Sequence, residues 1–161
     1  MSAFERMGDG RRRAARPVGP HAFERPVQIR FSHCDPAGIV FFPQYLVMLQ
    51  NLIEDWFTEG LGQPYAELLG PRRLGLPTVS LACEFAAPSR LGDQVMLGLT
   101  LDRITACSIE LSLGCRCGEQ QRMRARQTLV TAALDGQRAV PIPDDVREAL
   151  ERFLQQQPVS R

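Results

Sequence analysis

Residues 42–57, Phe-Pro-Gln-Tyr-Leu-Val-Met-Leu-Gln-Asn-Leu-Ile-Glu-Asp-Trp-Phe, most narrow the choice of fold. Phe42, Tyr45, Leu49, Leu52, Ile53, Trp56 and Phe57 recur at the spacings of three and four that define a helix face. Pro43 sits where a first helical residue belongs, and Gly60 or Gly62 marks the end. Leu46, Val47 and Met48 then spread the apolar stripe well beyond one seam. A helix this apolar predicts a cover on most sides, such as a curved sheet.

The rest of the chain supplies that sheet. Ahead of the helix, Pro26 to Ser32 alternates Val27, Ile29 and Phe31 with Gln28, Arg30 and Ser32, a half-buried strand by its period of two. Behind it, Pro77–Ala87 keeps Val79, Leu81, Cys83 and Phe85 on one parity, and Asp93–Arg103 keeps Val95, Leu97, Leu99 and Leu101. Cys107–Cys117 and roughly Gln121–Leu134 continue the alternation. The connections Pro88–Gly92, Arg103–Ala106 and Gly118–Glu119 are short, as antiparallel neighbours require. Pro64–Leu69 reads as a short helical piece, and Pro143-Asp144-Asp145 opens a final amphipathic helix through Val146, Leu150 and Leu154. The pattern predicts an α+β domain over residues 26–156, ordered β-α-β-β-β-β plus a C-terminal helix. Residues 1–25 are expected to be a flexible basic arm, and residues 157–161 a tail.

Composition removes several chemistries. All 19 basic residues are Arg and none is Lys, so the chain has no P-loop lysine, no Schiff base and no lysine general base. His21 and His33 are its only histidines, too few for a three-histidine zinc site, and no metal is expected. Residues 1–25 carry a charge of +3 and the remainder −2, but no basic stripe with interleaved aromatics follows, which argues against a nucleic-acid partner. No run of about 18 apolar residues and no apolar export segment is present, so no membrane association and a cytoplasmic location are expected. The five cysteines are an odd set. Cys107, Cys115 and Cys117 share the parity of Ile109, Leu111 and Leu113, so they read as small hydrophobes on a buried strand face rather than a metal or redox pair.

The local feature richest in chemistry is His33-Cys34-Asp35-Pro36-Ala37-Gly38. Pro36 forces Asp35 out of the helical region and Gly38 tolerates a positive φ, giving a tight loop just ahead of the apolar helix. The start of that helix offers unpaired N–H groups and the positive end of a dipole, suited to an anion or a developing oxyanion. Spacing alone leaves two readings of Asp35, a turn cap or a reactive carboxylate.

The run Asp35-Pro36-Ala37-Gly38-Ile39-Val40-Phe41-Phe42-Pro43, with Gln28-Ile29 before it and Tyr45 after it, resembles the active-site signature of the 4-hydroxybenzoyl-CoA thioesterase family, and the similarity in layout extends from about Pro26 to about Leu154. The resemblance implies a hotdog fold, an antiparallel sheet wrapped around a central long helix. It also implies an acyl-CoA thioesterase forming a homodimer or homotetramer, with sites shared between paired subunits. Asp35 corresponds to the family's nucleophile or general base, and Phe42 and Gly75, in Leu74-Gly75-Leu76-Pro77, to its backbone oxyanion donors. Gly38, Phe41 and Tyr45 are expected to line the substrate pocket. No cofactor is called for, since coenzyme A enters as part of the substrate. The acyl group expected is small or medium, and an aromatic, hydroxybenzoyl-type group is plausible given Phe41, Phe42, Tyr45 and Trp56. A noncatalytic acyl-CoA-binding module and a thioesterase for acyl-carrier-protein thioesters are the alternatives.

A thioester is already an activated acyl donor, so one carboxylate held near fixed N–H donors suffices. His33, two residues from Asp35, is a lesser candidate for a base, and Glu54, Asp55 and Glu84 read as solvated or outer-face acids. Coenzyme A phosphates require cations or hydroxyl and backbone donors, for which Arg90, Arg103, Ser108 and Arg126 are candidates, beside Arg122 and Arg124 on the same strand face. The turn Arg103-Ile104-Thr105-Ala106-Cys107-Ser108 keeps only one Arg, where some relatives of aromatic specificity carry several.

Overall fold

A computed structural model describes residues 21–158 of the chain; residues 1–20, most of the expected arm, and 159–161 lie outside them. Strand β1 spans Phe23–Gln28, helix α1 Phe42–Asp55, and a π-helical turn, Trp56–Gly60, extends α1. Short α2 (Tyr65–Leu69) and β2 (Leu74–Gly75) lead into β3 (Thr78–Phe85), β4 (Gln94–Ile104), β5 (Ser108–Cys117) and β6 (Gln120–Val130). Then come β7 (Ala132–Ala133), β8 (Arg138–Ala139) and helix α3 (Asp144–Gln156). The main sheet is antiparallel in the order β1-β4-β5-β6-β3, and β2-β7-β8 form a second, small sheet.

The core lies between α1 and one face of the main sheet. Met48, Leu49, Leu52, Ile53, Trp56 and Phe57 are buried against Val95, Leu97, Leu99 and Leu101 of β4 and Ile109, Leu111 and Leu113 of β5. Each such aliphatic contributes about 1.5–3 kcal/mol when fully buried. Glycine is required where α1 widens into its π turn, because a Cβ on Gly60 would stand 2.7 Å from the Trp56 ring. Val146, Ala149 and Leu150 of α3 complete the core.

Four expectations are revised in detail. β1 starts at Phe23, inside the stretch read as arm, and ends at Gln28 rather than Ser32. His33 Nδ1 accepts the Arg30 N–H at 2.9 Å, closing a 3₁₀ turn at Phe31–His33 that ends the strand and leaves Phe31 80% exposed. The run expected to reach Leu134 breaks after Val130, where buried Thr131 bonds the Cys107 and Val140 carbonyls and diverts the chain to pair with β2. Cys115 is buried and Cys117 packs, partly buried, against the core as expected, but Cys107 precedes β5. Finally, α1 is not covered all round. Leu81, Cys83 and Phe85 lie opposite buried residues of β6, yet β3 is the sheet edge, and Val47, Leu81 and Phe85 remain exposed.

Candidate active site

The loop after β1 is a small hairpin. Cys34 and Val40 bridge across it, the Asp35 N–H donates to the Ile39 carbonyl at 3.0 Å, and the Gly38 N–H donates to the Asp35 carbonyl at 2.9 Å. Gly38 has φ +74, the left-handed conformation its lack of Cβ allows. Asp35 Oδ1 accepts the Ala37 N–H at 2.9 Å, the turn-capping role foreseen from sequence. Among the described residues Asp35 Oδ2 has no protein partner, and the side chain is half-buried. One oxygen thus shapes the loop while the other is available for chemistry.

A second turn, Pro88–Asp93 between β3 and β4, supports that hairpin. The Val40 N–H donates to the Ser89 carbonyl at 2.9 Å, and the Leu91 N–H to the Gly38 carbonyl at 3.0 Å. Ile39 bridges Arg90. The chain then enters α1 through Phe41, whose N–H is taken by the His33 carbonyl. As first helical residue, Phe42 has an N–H without an intrahelical acceptor, and among the described residues it has no other partner. Pro43 has no N–H, and Gln44 donates to the Phe41 carbonyl. The open Phe42 amide therefore stands at the positive end of α1, seven residues on from Asp35 across a pinned loop.

Aromatic rings surround this end of the helix. Phe42 meets Phe41 edge-on at 5.7 Å and Phe85 at 6.2 Å, and Tyr45 lies 5.9 Å from Phe85. Phe41 and Phe42 are 51% and 57% exposed, whereas Tyr45 is buried, so of the expected pocket residues only Gly38 and Phe41 are open to a ligand in this chain. The Tyr45 hydroxyl donates to buried Ser89 Oγ at 2.7 Å, and burial raises its pKa, which keeps it a donor.

The other candidates are dispersed. Gly75 lies in the small sheet, opposite Ala132 and against Leu134, not beside the Asp35 hairpin. His33 serves its own turn, and among the described residues no hydrogen bond joins it to Asp35. Glu54 and Asp55 sit at the far end of α1, about 18 Å along the axis from Phe42 at 1.5 Å per residue. Glu84 pairs with Arg124 on the outer face. Of the phosphate candidates, only Arg90 adjoins the hairpin. Arg103, paired with Glu110, and Ser108, bonded to Thr105, lie at the opposite end of β4, about 30 Å away at the rise of a strand. Arg126 is exposed on the outer face, opposite Ala82 and Ser112. Arg122 is not a free cation: it pairs with Asp93 at 3.1 Å and donates to the Pro88 carbonyl. Sequence reasoning missed Ser89 and Asp93, whose only local signal is the Pro88–Gly92 turn between strands.

Residues 29–150 match the family model of the Thioesterase-like superfamily. The chain belongs to that superfamily. A 1,4-dihydroxy-2-naphthoyl-CoA hydrolase from Synechocystis is 28% identical over 138 residues, covering 83% of this chain and 96% of that protein. A 4-hydroxybenzoyl-CoA thioesterase from Pseudomonas sp. is 30% identical over 129 residues, covering 75% of this chain and 92% of the relative. The solved structure of a gentisyl-coenzyme A thioesterase superposes with a TM-score of 0.71 at 27% identity, covering 77% of this chain and 98% of that one. The fold is the hotdog fold, the resemblance to the 4-hydroxybenzoyl-CoA thioesterase family holds, and the protein is a thioester hydrolase.

Proposed function

We propose that this chain hydrolyses an aromatic acyl-CoA thioester to the carboxylic acid and free coenzyme A, with Asp35 as the reacting carboxylate and the Phe42 N–H as an oxyanion donor. The observation that supports this most is the unpartnered Asp35 oxygen on a hairpin pinned beside an open helix-start amide. The carbonyl oxygen of the thioester would accept from Phe42, where the helix dipole adds to the stabilisation of developing negative charge. Asp35 either attacks the carbonyl carbon, forming an anhydride that water opens, or takes a proton from the attacking water. Both routes consume one water, break the C–S bond and pass the proton to the departing thiolate. No cofactor or metal takes part in either. The three relatives compared are all named for aromatic acyl-CoA esters, and Phe41, Phe42 and Phe85 offer ring surface at the same end of the helix.

The uncovered Phe41, Phe42, Val47, Leu81 and Phe85, next to the unpaired edge of β3, favour a homodimer or homotetramer in which a second subunit covers them. Gly75, remote from Asp35 within one chain, would then donate its N–H across the subunit interface. Arg90 is the phosphate contact we favour. The five free cysteines suit a reducing compartment such as the cytoplasm.

Thiol release from a panel of benzoyl-, hydroxybenzoyl-, hydroxynaphthoyl- and aliphatic acyl-CoA esters, with the acyl-carrier-protein ester of the best acyl group as a further arm, tests the reading. Fastest turnover on an aromatic CoA ester is expected. Preference for an aliphatic ester or for the carrier-protein form would contradict it.

A further inference from the structure

Ser89 touches both halves of the candidate site. Its carbonyl accepts the Val40 N–H at 2.9 Å, and its Oγ accepts the Tyr45 hydroxyl at 2.7 Å. Val40 is the closing residue of the Asp35 hairpin, and Tyr45 lies three residues beyond Phe42, on the same side of the first turn of α1. Ser89 is 0% and Tyr45 4% exposed, so water does not replace this bond. The turn that carries Ser89 is itself fixed from outside. Arg122 on β6, its side chain only 12% exposed, pairs with Asp93 and donates to the Pro88 carbonyl. Asp93 Oδ2 also accepts the Arg90 N–H at 2.9 Å. The turn is thus closed on both sides of Ser89. Behind it lies Cys115, whose thiol burial pushes up to about 12, a neutral neighbour that offers no competing charge.

We propose that Ser89 is a positioning residue, clamping the Asp35 hairpin by its main chain and the first turn of α1 by its hydroxyl, so that carboxylate and Phe42 amide keep one separation. The inference rests on the assignment of Asp35 and Phe42 made above. Its physical basis is the steep dependence of catalysis on placement, since misplacement by about 1 Å costs on the order of a hundredfold in rate. Asp35 and Phe42 lie seven positions apart, and the hydrogen bonds within the hairpin reach only as far as Phe41, short of the first helical residue. The Ser89 clamp adds a constraint between the two from a part of the chain remote in sequence.

The test is a kinetic double-mutant cycle of Ser89→Ala and Tyr45→Phe on the full chain, with Asp35→Asn run alongside. Ser89→Ala removes one atom and is expected to fold. The account predicts that each single variant loses about tenfold in kcat with KM within about twofold, and that the double variant loses no more than the worse single one. The double variant also leaves no buried hydroxyl unpaired, so its thermal midpoint should recover towards wild type, while its kcat should not. A merely structural bond would lower the midpoint of the single variants in the same way but leave kcat unchanged in the folded protein. Unchanged kcat in Ser89→Ala, or losses that multiply in the double variant, would overturn the inference. If Asp35→Asn turns over like wild type, the reading of Asp35 fails first. If that variant is dead while Ser89→Ala is fully active, only the clamp is wrong.

Discussion

At the scale of single residues, the outer face of the sheet illustrates how a missing side chain fixes a neighbour. Gly98 of β4 and Gly114 of β5 face one another, and the His21 ring occupies the space their absent Cβ atoms leave. Its Nδ1 stands 3.2 Å from Thr100 Oγ1, and its amide donates to Glu24, the partner of Arg116. Burial lowers the His21 pKa, with Arg116 lowering and Glu24 and Asp102 raising it to a smaller extent. The folded protein therefore binds the neutral ring. Its contribution to stability is complete above the ordinary value of 6.5 and is lost as pH falls from there towards the lowered folded value. Gly98→Ala puts a methyl group where the ring lies. By NMR titration, the His21 midpoint should move back up towards 6.5 in that variant; a midpoint as low as in wild type would show that the ring is not held by the glycines. Legibility at this scale follows sequence distance. The Asp35 turn was readable because Pro36 and Gly38 punctuate it within three residues of the aspartate. The Tyr45–Ser89 bond was not, because its partners are 44 residues apart and neither has a local signal for the other.

At the scale of elements, the end of α3 performs a task the sequence did not announce. β1 pairs with β4 only as far as Phe23 opposite Leu99. Beyond it, Leu101 donates its N–H to Gln157 Oε1 at 3.2 Å and accepts from Gln157 Nε2 at 2.6 Å. One carboxamide thus substitutes for a missing strand residue, and the first residue assigned to the tail is tied to the sheet. Gln157→Leu should cost about 1–2 kcal/mol and speed hydrogen exchange at the Leu101 amide; an unchanged exchange rate would mean the edge is protected otherwise. Long elements with sustained period were legible, which is why α1, β4, β5 and α3 fall close to their expected limits. Short pairings such as β2 with β7 have no period to read, and the ends of β1 and β6 depend on His33 and Thr131 side chains finding backbone partners.

At the scale of the whole molecule, a single chain leaves part of its apolar surface uncovered. Phe42, Val47, Leu81 and Phe85 are 57%, 52%, 41% and 45% exposed, and β3 offers an unpaired edge beside them. In the proposed assembly, a second subunit on this face would cover the part of the apolar helix that one sheet leaves open. Leu81→Glu should shift the sedimenting species towards monomer and reduce turnover together; a wild-type assembly would remove this face from the interface. The missing lysines sharpen the account of the reaction, because full cations for phosphate are all arginines and Arg90 alone of the candidates adjoins the hairpin. The central claim is that one carboxylate, Asp35, drives thioester cleavage. It is tested most directly by thiol release from the best aromatic acyl-CoA, comparing wild type with Asp35→Asn after both are shown to be folded and equally assembled. The account predicts a loss of at least about a hundredfold in kcat, and equal rates in the two proteins would contradict it.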